Sequence, residues 1–451
     1  MELVLNSRVG LWGVNIALPD HAKAVERLRE RFTYDNPVYW DARRFRRPCR
    51  HIPRRIELLQ GPDSNGAVFG PRGALKDFLR ILGELVDLPP IRDETAFPTA
   101  SIRFAGSLRD YQAAAVEAVV LNRGGVVQAP TGSGKTVVAM ALAARLKTPA
   151  LIMVHTALLL EQTIARVREF LGLEPAVIGA GRDERGLVTI GMVQSLMRRD
   201  LDALSDAFGL LVLDEAHHCP AESFKSVIQA FRARYRVGLT ATPTRKDRLH
   251  PVLFDVVGPI VHVIRPQTLV VRGAIARLEV IQVETEFRAA FRNNYGQLIN
   301  RLVRDRRRNE LLVDTIHRLH AARSLVLSDR VDHCKWLTLR LLEKGMKAEV
   351  MTGETPRTDR EALLRRFESG EVEVLVSTTA LVGEGFDLRA IDTVFLTVPN
   401  GNMARTTQVL GRALRPFGGK PCGRVVDFVD LHVSLLRNQF ERRMRVYRRF
   451  Q

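Results

Sequence analysis

From about residue 100 onward, short apolar runs alternate with longer stretches of helical periodicity. GGVVQAP, ALIMVH, LVTIGM, LLVLDEA and RVGLTAT are the first set of runs, with KTVVAMALAARLK and ALLLEQTIARVREFL between them. Continuously apolar strands are what a parallel sheet covered on both faces requires, because neither face meets water. Irregular sequence runs from Pro243 to about Pro266, and the alternation then resumes with SLVLSD, KAEVMTG, VEVLVSTT, TVFLTV and GRVVDFVD. The pattern predicts two α/β lobes, over residues 96–263 and 264–451.

Residues 1–95 read differently. Strand-like runs and a helical HAKAVERLRERF precede an Arg-rich, Pro-punctuated segment, then IELLQ, a turn region and an amphipathic GALKDFLRILGELV. DLPPIRDETAFPTASIRF, rich in Pro and small polar residues, reads as a linker. A small α+β domain preceding the lobes is expected, and its removal is expected to spare basal turnover in them. Arg43, Arg44, Arg46, Arg47, Arg50, Arg54 and Arg55, beside Tyr39 and Trp40, form a candidate nucleic-acid surface. Guanidinium groups pair with phosphates, and aromatic rings stack on exposed bases. The competing reading puts Tyr39 and Trp40 in the core and leaves the arginines solvated.

Composition sharpens one point. A hydrophobic content of 46% and a charged content of 26% are those of an ordinary globular chain, and 451 residues are too many for one core. Sixty-eight Lys and Arg against 50 Asp and Glu leave +18, which raises the odds of a polyanionic partner, a solubilising surface charge being the alternative that charge alone does not exclude. Cys49, Cys219, Cys334 and Cys422 are too far apart for a metal knuckle or a visible disulfide framework. The N-terminus lacks the pattern of a secretory leader, and no apolar run is long enough for a membrane span, so a soluble cytoplasmic protein is expected; a monomer is a separate expectation.

Two segments carry chemistry. Ala129-Pro130-Thr131-Gly132-Ser133-Gly134-Lys135-Thr136 follows a strand and opens a helix, with phosphate-loop spacing and Ala in place of the first Gly. Glycines let the backbone wrap phosphates with its N–H groups, and the helix N-terminus adds positive potential. Lys135 would reach the β- and γ-phosphates of ATP, and the Thr136 hydroxyl would bind Mg²⁺. LLVLDEAHH then places Asp214 and Glu215 at the C-terminal end of a buried strand, where ligands of such sheets bind. Asp214 would hold Mg²⁺, and Glu215 would orient or deprotonate the attacking water.

Asp214-Glu215-Ala216-His217 resembles the DEAH form of motif II in superfamily 2 helicases, and the other motifs follow in order. The resemblance spans roughly residues 104–430 and implies RecA-like lobes and an ATP-driven motor on nucleic acid. LRDYQ resembles the Q motif, which implies that Gln112 contacts adenine. VHTALLLEQ resembles motif Ia, with Thr156 on a backbone phosphate, and VTIGMVQSL places Gln194 and Ser195 beside the same track. Thr240-Ala241-Thr242 resembles motif III, which couples the ATP state to the track, and His217 would bond toward it. STTALVGEGFDLRAID resembles motif V, implying that Thr378 touches nucleic acid and that Gly385 and Asp387 lie near the ribose. Gln408 to Arg415 matches the motif VI pattern QxxGRxxR, whose Arg412 and Arg415 would act as arginine fingers.

The ordering looks most like the group of XPB-type and phage UvsW-like helicases, which implies 3′ to 5′ movement on DNA and remodelling of forks or junctions. Residues 1–95 resemble the front segment of the phage-like members. GRDERG holds the residue types of the XPB Arg-Glu-Asp motif in another order, which weakens the case for an XPB-like role in DNA repair without removing it. Arg306 to Arg308 and the C-terminal RRMRVYRRF read equally as phosphate contacts or solvated helix faces. Duplex translocation without strand separation, an RNA helicase and a non-catalytic ATP-responsive clamp are the other readings.

Overall fold

The computed structural model describes residues 1–219, 222–244, 247–291, 294–383, 391–399, 401–402, 406–407, 409–411, 414 and 422–451. The chain forms two compact units. One comprises Met1–Ala129 and Gly134–Val263, and the other Pro130–Ser133 and Ile264–Gln451.

The first unit begins with a four-stranded sheet, β1 (Glu2–Leu5), β2 (Val9–Trp12), β5 (Val68–Gly70) and β6 (Ile91–Asp93), in the order β5-β2-β1-β6. β3 (Thr33–Asp35) and β4 (Arg55–Glu57) make a separate antiparallel pair. An eight-stranded sheet follows: β7 (Gly124–Gln128), β8 (Ala150–Val154), β9 (Ala176–Gly179), β10 (Arg182–Asp183), β11 (Val188–Met192), β12 (Leu210–Asp214), β13 (Tyr235–Thr240) and β14 (Ile260–Val263). Its order is β10-β9-β11-β8-β12-β13-β7-β14, parallel except where β10 meets β9. Every residue of β8 and β12 is buried, as the uninterrupted apolar runs predict.

The amino-terminal region shares its core with this sheet. Leu3, Leu28, Phe32 and Phe78 belong to one buried cluster with Val252, Leu253 and Val256 of the helix His250–Val257. Asp255 on that helix is 2% exposed and is clamped by Arg31 (2.9 and 3.2 Å) and the Tyr34 hydroxyl. The first unit therefore runs through residue 95 without a break.

The second unit holds a six-stranded, wholly parallel sheet: β15 (Arg277–Glu284), β16 (Ser324–Ser328), β17 (Ala348–Met351), β18 (Val374–Thr378), β19 (Thr393–Leu396) and β20 (Cys422–Val429), in the order β15-β20-β19-β16-β18-β17. Arg308, one of the possible phosphate contacts, is instead buried in this unit beside the C-terminal ends of β19 and β20. Its guanidinium donates to both Asp430 oxygens (2.7 and 3.1 Å) and to the Thr397 carbonyl (2.7 Å), and both side chains are fully buried. Arg306 remains outside, paired with Glu310 one helical turn on. On the C-terminal helix Ser434–Tyr447, Arg443 turns inward onto Asp427 (2.8 and 3.0 Å), which also accepts from the Tyr447 hydroxyl. A buried guanidinium needs a carboxylate partner, and each of these has one.

Among the described residues, no helix is long and apolar enough to cross a membrane.

Candidate functional site

The phosphate loop bridges β7 and the helix Lys135–Leu146. Gly132 (φ 88°) and Gly134 (φ 77°) sit in left-handed backbone that a side chain would strain, and they turn the chain into the helix. Lys135 leaves the loop folded back, its ammonium 3.4 Å from the Ala129 carbonyl. Gln112 lies beside the loop: a Cβ added at Gly134 would collide with its amide nitrogen. Its amide oxygen accepts from the Arg109 N–H (3.0 Å), which closes a capping box on the helix Asp110–Leu121. Thr131, Ser133 and Thr136 lie on the same loop and first helical turn.

β12 ends on Asp214, and β13 lies between β12 and β7. Three strand ends thus deliver the phosphate loop, the carboxylates and Thr240 to one edge of the sheet, and the Ala129 N–H donates to the Thr240 carbonyl (2.9 Å). Glu215 adopts φ 50°, ψ 51°, a left-handed conformation uncommon for a residue with a side chain. Such strain concentrates at functional sites, and here it turns the chain sharply beyond the strand. The His217 ring nitrogen lies 3.2 Å from the Thr240 hydroxyl and 3.4 Å from the Glu215 carboxylate, and the Thr242 N–H donates to that hydroxyl (3.2 Å). The acid, the histidine and the strand-end threonine form one contiguous group.

Burial and the neighbouring Glu215 charge push the Asp214 carboxyl up to about 6. Burial also works to raise Glu215, but Lys135 and His217 outweigh it and hold Glu215 well below the ordinary carboxylate range. The two carboxyls thus titrate apart, with Glu215 the more acidic of the pair. Asp214 and the Thr136 hydroxyl are hard oxygen donors of the kind Mg²⁺ takes together with phosphate and water.

Further along the same edge, Thr156 caps the helix Ala157–Leu171, its hydroxyl accepting from the Leu159 N–H (3.2 Å). The Gln194 amide donates to the His155 carbonyl (3.2 Å) and brings Ser195 with it. His155 was not anticipated. Its ring lies 4.4 Å from that of His218, which lies 4.3 Å from that of His217, and burial lowers its pKa. The available signal was a histidine just after one apolar strand and two histidines just after another. In the second unit, Thr378 ends β18, half-buried. Gly385, Asp387, Gln408, Arg412 and Arg415 lie outside the described residues.

On the amino-terminal region, Trp40 is 40% exposed and Tyr39 meets it edge-on, so neither ring is in the core. Arg43, Arg44, Arg46, Arg47, Arg50, Arg54 and Arg55 are all exposed. Arg54 packs over Trp40 (5.1 Å), and Arg44 and Arg47 flank Phe45 (5.8 and 5.7 Å). Phe45, 61% exposed, is the aromatic the sequence reading passed over inside RRFRR.

Residues 105–245 match the family described as type III restriction enzyme, res subunit, and residues 307–416 match the helicase conserved C-terminal domain. The DNA 3′-5′ translocase XPB2 of Sulfurisphaera tokodaii is 28% identical over 361 residues, covering 72% of this chain and 81% of that protein. The probable helicase D10 of Escherichia phage T5 is 26% identical over 330 residues, covering 72% and 71%. A fragment of a putative HsdR subunit of a type I restriction enzyme from Vibrio vulnificus has the same fold, with a TM-score of 0.57 at 19% identity over 74% of this chain and 66% of that one.

Proposed function

We propose, from the premise that this chain belongs to the superfamily 2 helicases and is an ATP-dependent enzyme of that class, that it moves 3′ to 5′ on DNA and remodels forked or branched substrates. The observation that carries the reading is the single sheet edge on which Lys135, Asp214, Glu215, His217 and Thr240 meet. Lys135 would neutralise the β- and γ-phosphates, and Thr136 and Asp214 would hold Mg²⁺, which supplies charge neutralisation between those phosphates. Glu215, kept ionised by Lys135 and His217, would accept the proton of the attacking water. His217 ties that carboxylate to Thr240, so a change at the γ-phosphate would reach the strand end beside the track elements Thr156, Gln194 and Ser195. Arg412 and Arg415 would complete the charge stabilisation from the second lobe, with Gln408 ordering them and Gly385 and Asp387 near the ribose.

The 3′ to 5′ direction on DNA rests on the XPB-named relative. The exposed arginines and rings of residues 39–55 fit a surface that holds the DNA junction. A second reading, movement along duplex DNA without strand separation, is supported by the res-subunit match.

Glu215→Gln should bind ATP as the parent does while turnover falls by about 10² to 10⁴. Wild-type turnover in that variant would remove the general-base assignment. Strand displacement on forked, four-way and 3′-tailed DNA, with ATPase stimulation measured in parallel, separates the readings. Stimulation by blunt duplex with no displacement favours duplex movement.

A further inference from the structure

The first unit carries a cavity at the opposite end of its sheet from the phosphate loop, where β7, β13 and β14 begin rather than end. Val126, Val127 and Gln128 of β7 lie between its lining residue Gly125 and the phosphate loop, about 13 Å of extended chain. It encloses about 470 Å³, the size of a small-molecule site. Leu5 and Arg72 come from the amino-terminal region, and Gly125, Arg236, Phe254 and Val261 from the motor lobe.

The charge of its lining is unbalanced. Arg31, Arg72, Lys76, Arg123, Arg234 and Arg236 face it with only Asp77, Asp93 and Asp255. Those carboxylates are already engaged: Asp77 and Asp255 by Arg31, and Asp93 by Thr95, with Arg123 at 3.8 Å. Arg72 donates to the carbonyls of Asn6 (3.0 Å), Ala233 (2.7 Å) and Arg234, with the Asp93 charge nearby but in no ion pair with it. Arg236, 2% exposed, donates to the carbonyls of Ser7 (2.6 Å), Phe231 (2.9 Å) and Val256 (3.4 Å), and its buried Nε has no partner. Among the described ion pairs neither arginine meets a carboxylate, nor does Lys76 at the rim. The two guanidinium groups are near enough to repel, and burial lowers the pKa of both. Arg236 is a buried positive charge held only by carbonyls, which is costly, with half-buried Arg72 beside it, and a phosphate offers the pair counter-charge in a geometry guanidinium matches.

We propose that this cavity binds a small phosphorylated ligand, inorganic phosphate or a mononucleotide, with its phosphate against Arg72, Arg236 and Lys76 and any base against the apolar wall of Leu5, Phe254 and Val261. Arg72 reaches from the amino-terminal region to motor-lobe carbonyls, and Arg236 reaches back to Ser7, so the ligand braces that junction. Ligand that binds only the folded state then raises its stability.

The test uses the full chain carrying Lys135→Ala, which disables phosphate capture at the ATP loop. Inorganic phosphate and AMP are titrated by calorimetry, and thermal unfolding is followed in each and in sodium chloride of equal ionic strength. Saturable binding is expected, with a rise in Tm beyond that in chloride. Adding Lys76→Gln and Arg123→Gln, both at the exposed rim, should weaken binding at least about tenfold while the far-ultraviolet spectrum stays unchanged. Arg72→Lys, which keeps the charge but loses the fork, should weaken it as well. Preference for phosphate identifies the free anion, and preference for AMP a nucleotide; either supports the site. Binding of neither probe, affinity unchanged by the rim variants, or a Tm shift matched by chloride overturns it.

Discussion

Two arginine-rich regions of similar appearance end in opposite environments. Between Arg43 and Arg55, seven arginines remain exposed around Trp40 and Phe45, and among the described ion pairs none of them meets a carboxylate. In the run Arg306 to Arg308 and in the C-terminal helix, one arginine of each set plunges into the core of the second unit onto an aspartate. The difference lies in the partner. Asp427, within β20, and Asp430, just beyond its end, are buried acids that need a cation, and the helices packed on that sheet supply one each. Among the described ion pairs the Arg43–Arg55 segment meets no acid, so its charge stays available to a polyanion. A basic run in a sequence therefore predicts function only after the carboxylates near it in space are known.

The largest effect should come from removing residues 1–95. Sequence alone suggested that the lobes would keep their basal turnover. The shared core argues otherwise, because Val252, Leu253 and Val256 would each lose burial worth about 1.5–3 kcal/mol, and Asp255 would lose Arg31 and Tyr34. Against a total stability of about 5–15 kcal/mol, the first unit should not fold, and circular dichroism with a soluble-yield measurement checks it. A truncated chain with native spectrum and turnover would restore an independent domain.

Arg308→Ala should follow, costing about 3–5 kcal/mol because Asp430 would be left buried and unpaired. Denaturant unfolding measures it, and an effect under about 1 kcal/mol would place Arg308 with the solvated arginines instead.

Next comes a pH effect in the same core. The His333 ring sits between the Ser328 hydroxyl (2.9 Å) and the Asn309 side-chain oxygen (3.2 Å), and the Asn309 nitrogen donates to the Val303 carbonyl. Nε2 must then carry the proton and Nδ1 accept. Burial, with Arg308 nearby, lowers its pKa from 6.5 to about 3. Below pH 6.5 the unfolded chain takes up a proton that the folded one refuses, so stability falls as pH drops toward 3, by at most about 1.4 kcal/mol per unit. Unfolding at pH 7.5 and 5.5 should reveal this slope, and His333→Gln should flatten it.

The smallest stability effect belongs to the exposed patch. Arg43→Ala, Arg44→Ala, Arg46→Ala and Arg47→Ala together should change stability by no more than about 0.5 kcal/mol per site. They should nonetheless reduce the salt dependence of DNA binding by about three to four in logarithmic slope. An unchanged slope with lost stability would reverse the comparison.

The sequence by itself determined the parallel-sheet lobes, the phosphate loop, and the placement of Asp214 and Glu215 at a strand end. These depend on contiguous residues, where apolar runs, glycine spacing and a single strand-to-helix turn fix the outcome locally. It also indicated the bond from His217 to Thr240, although only through resemblance. Tertiary structure decided the rest. It set the left-handed turn at Glu215, the ring of His155 beside those of the motif II histidines, and the exposure of Trp40 and Phe45. It also fused residues 1–95 to the first lobe and chose Arg308 and Arg443, rather than their neighbours, for burial. Arg308 meets Asp430 across 122 residues and Arg31 meets Asp255 across 224, and no local pattern encodes such pairs. Their cause is the desolvation of charge, which acts on whatever the folded chain brings together.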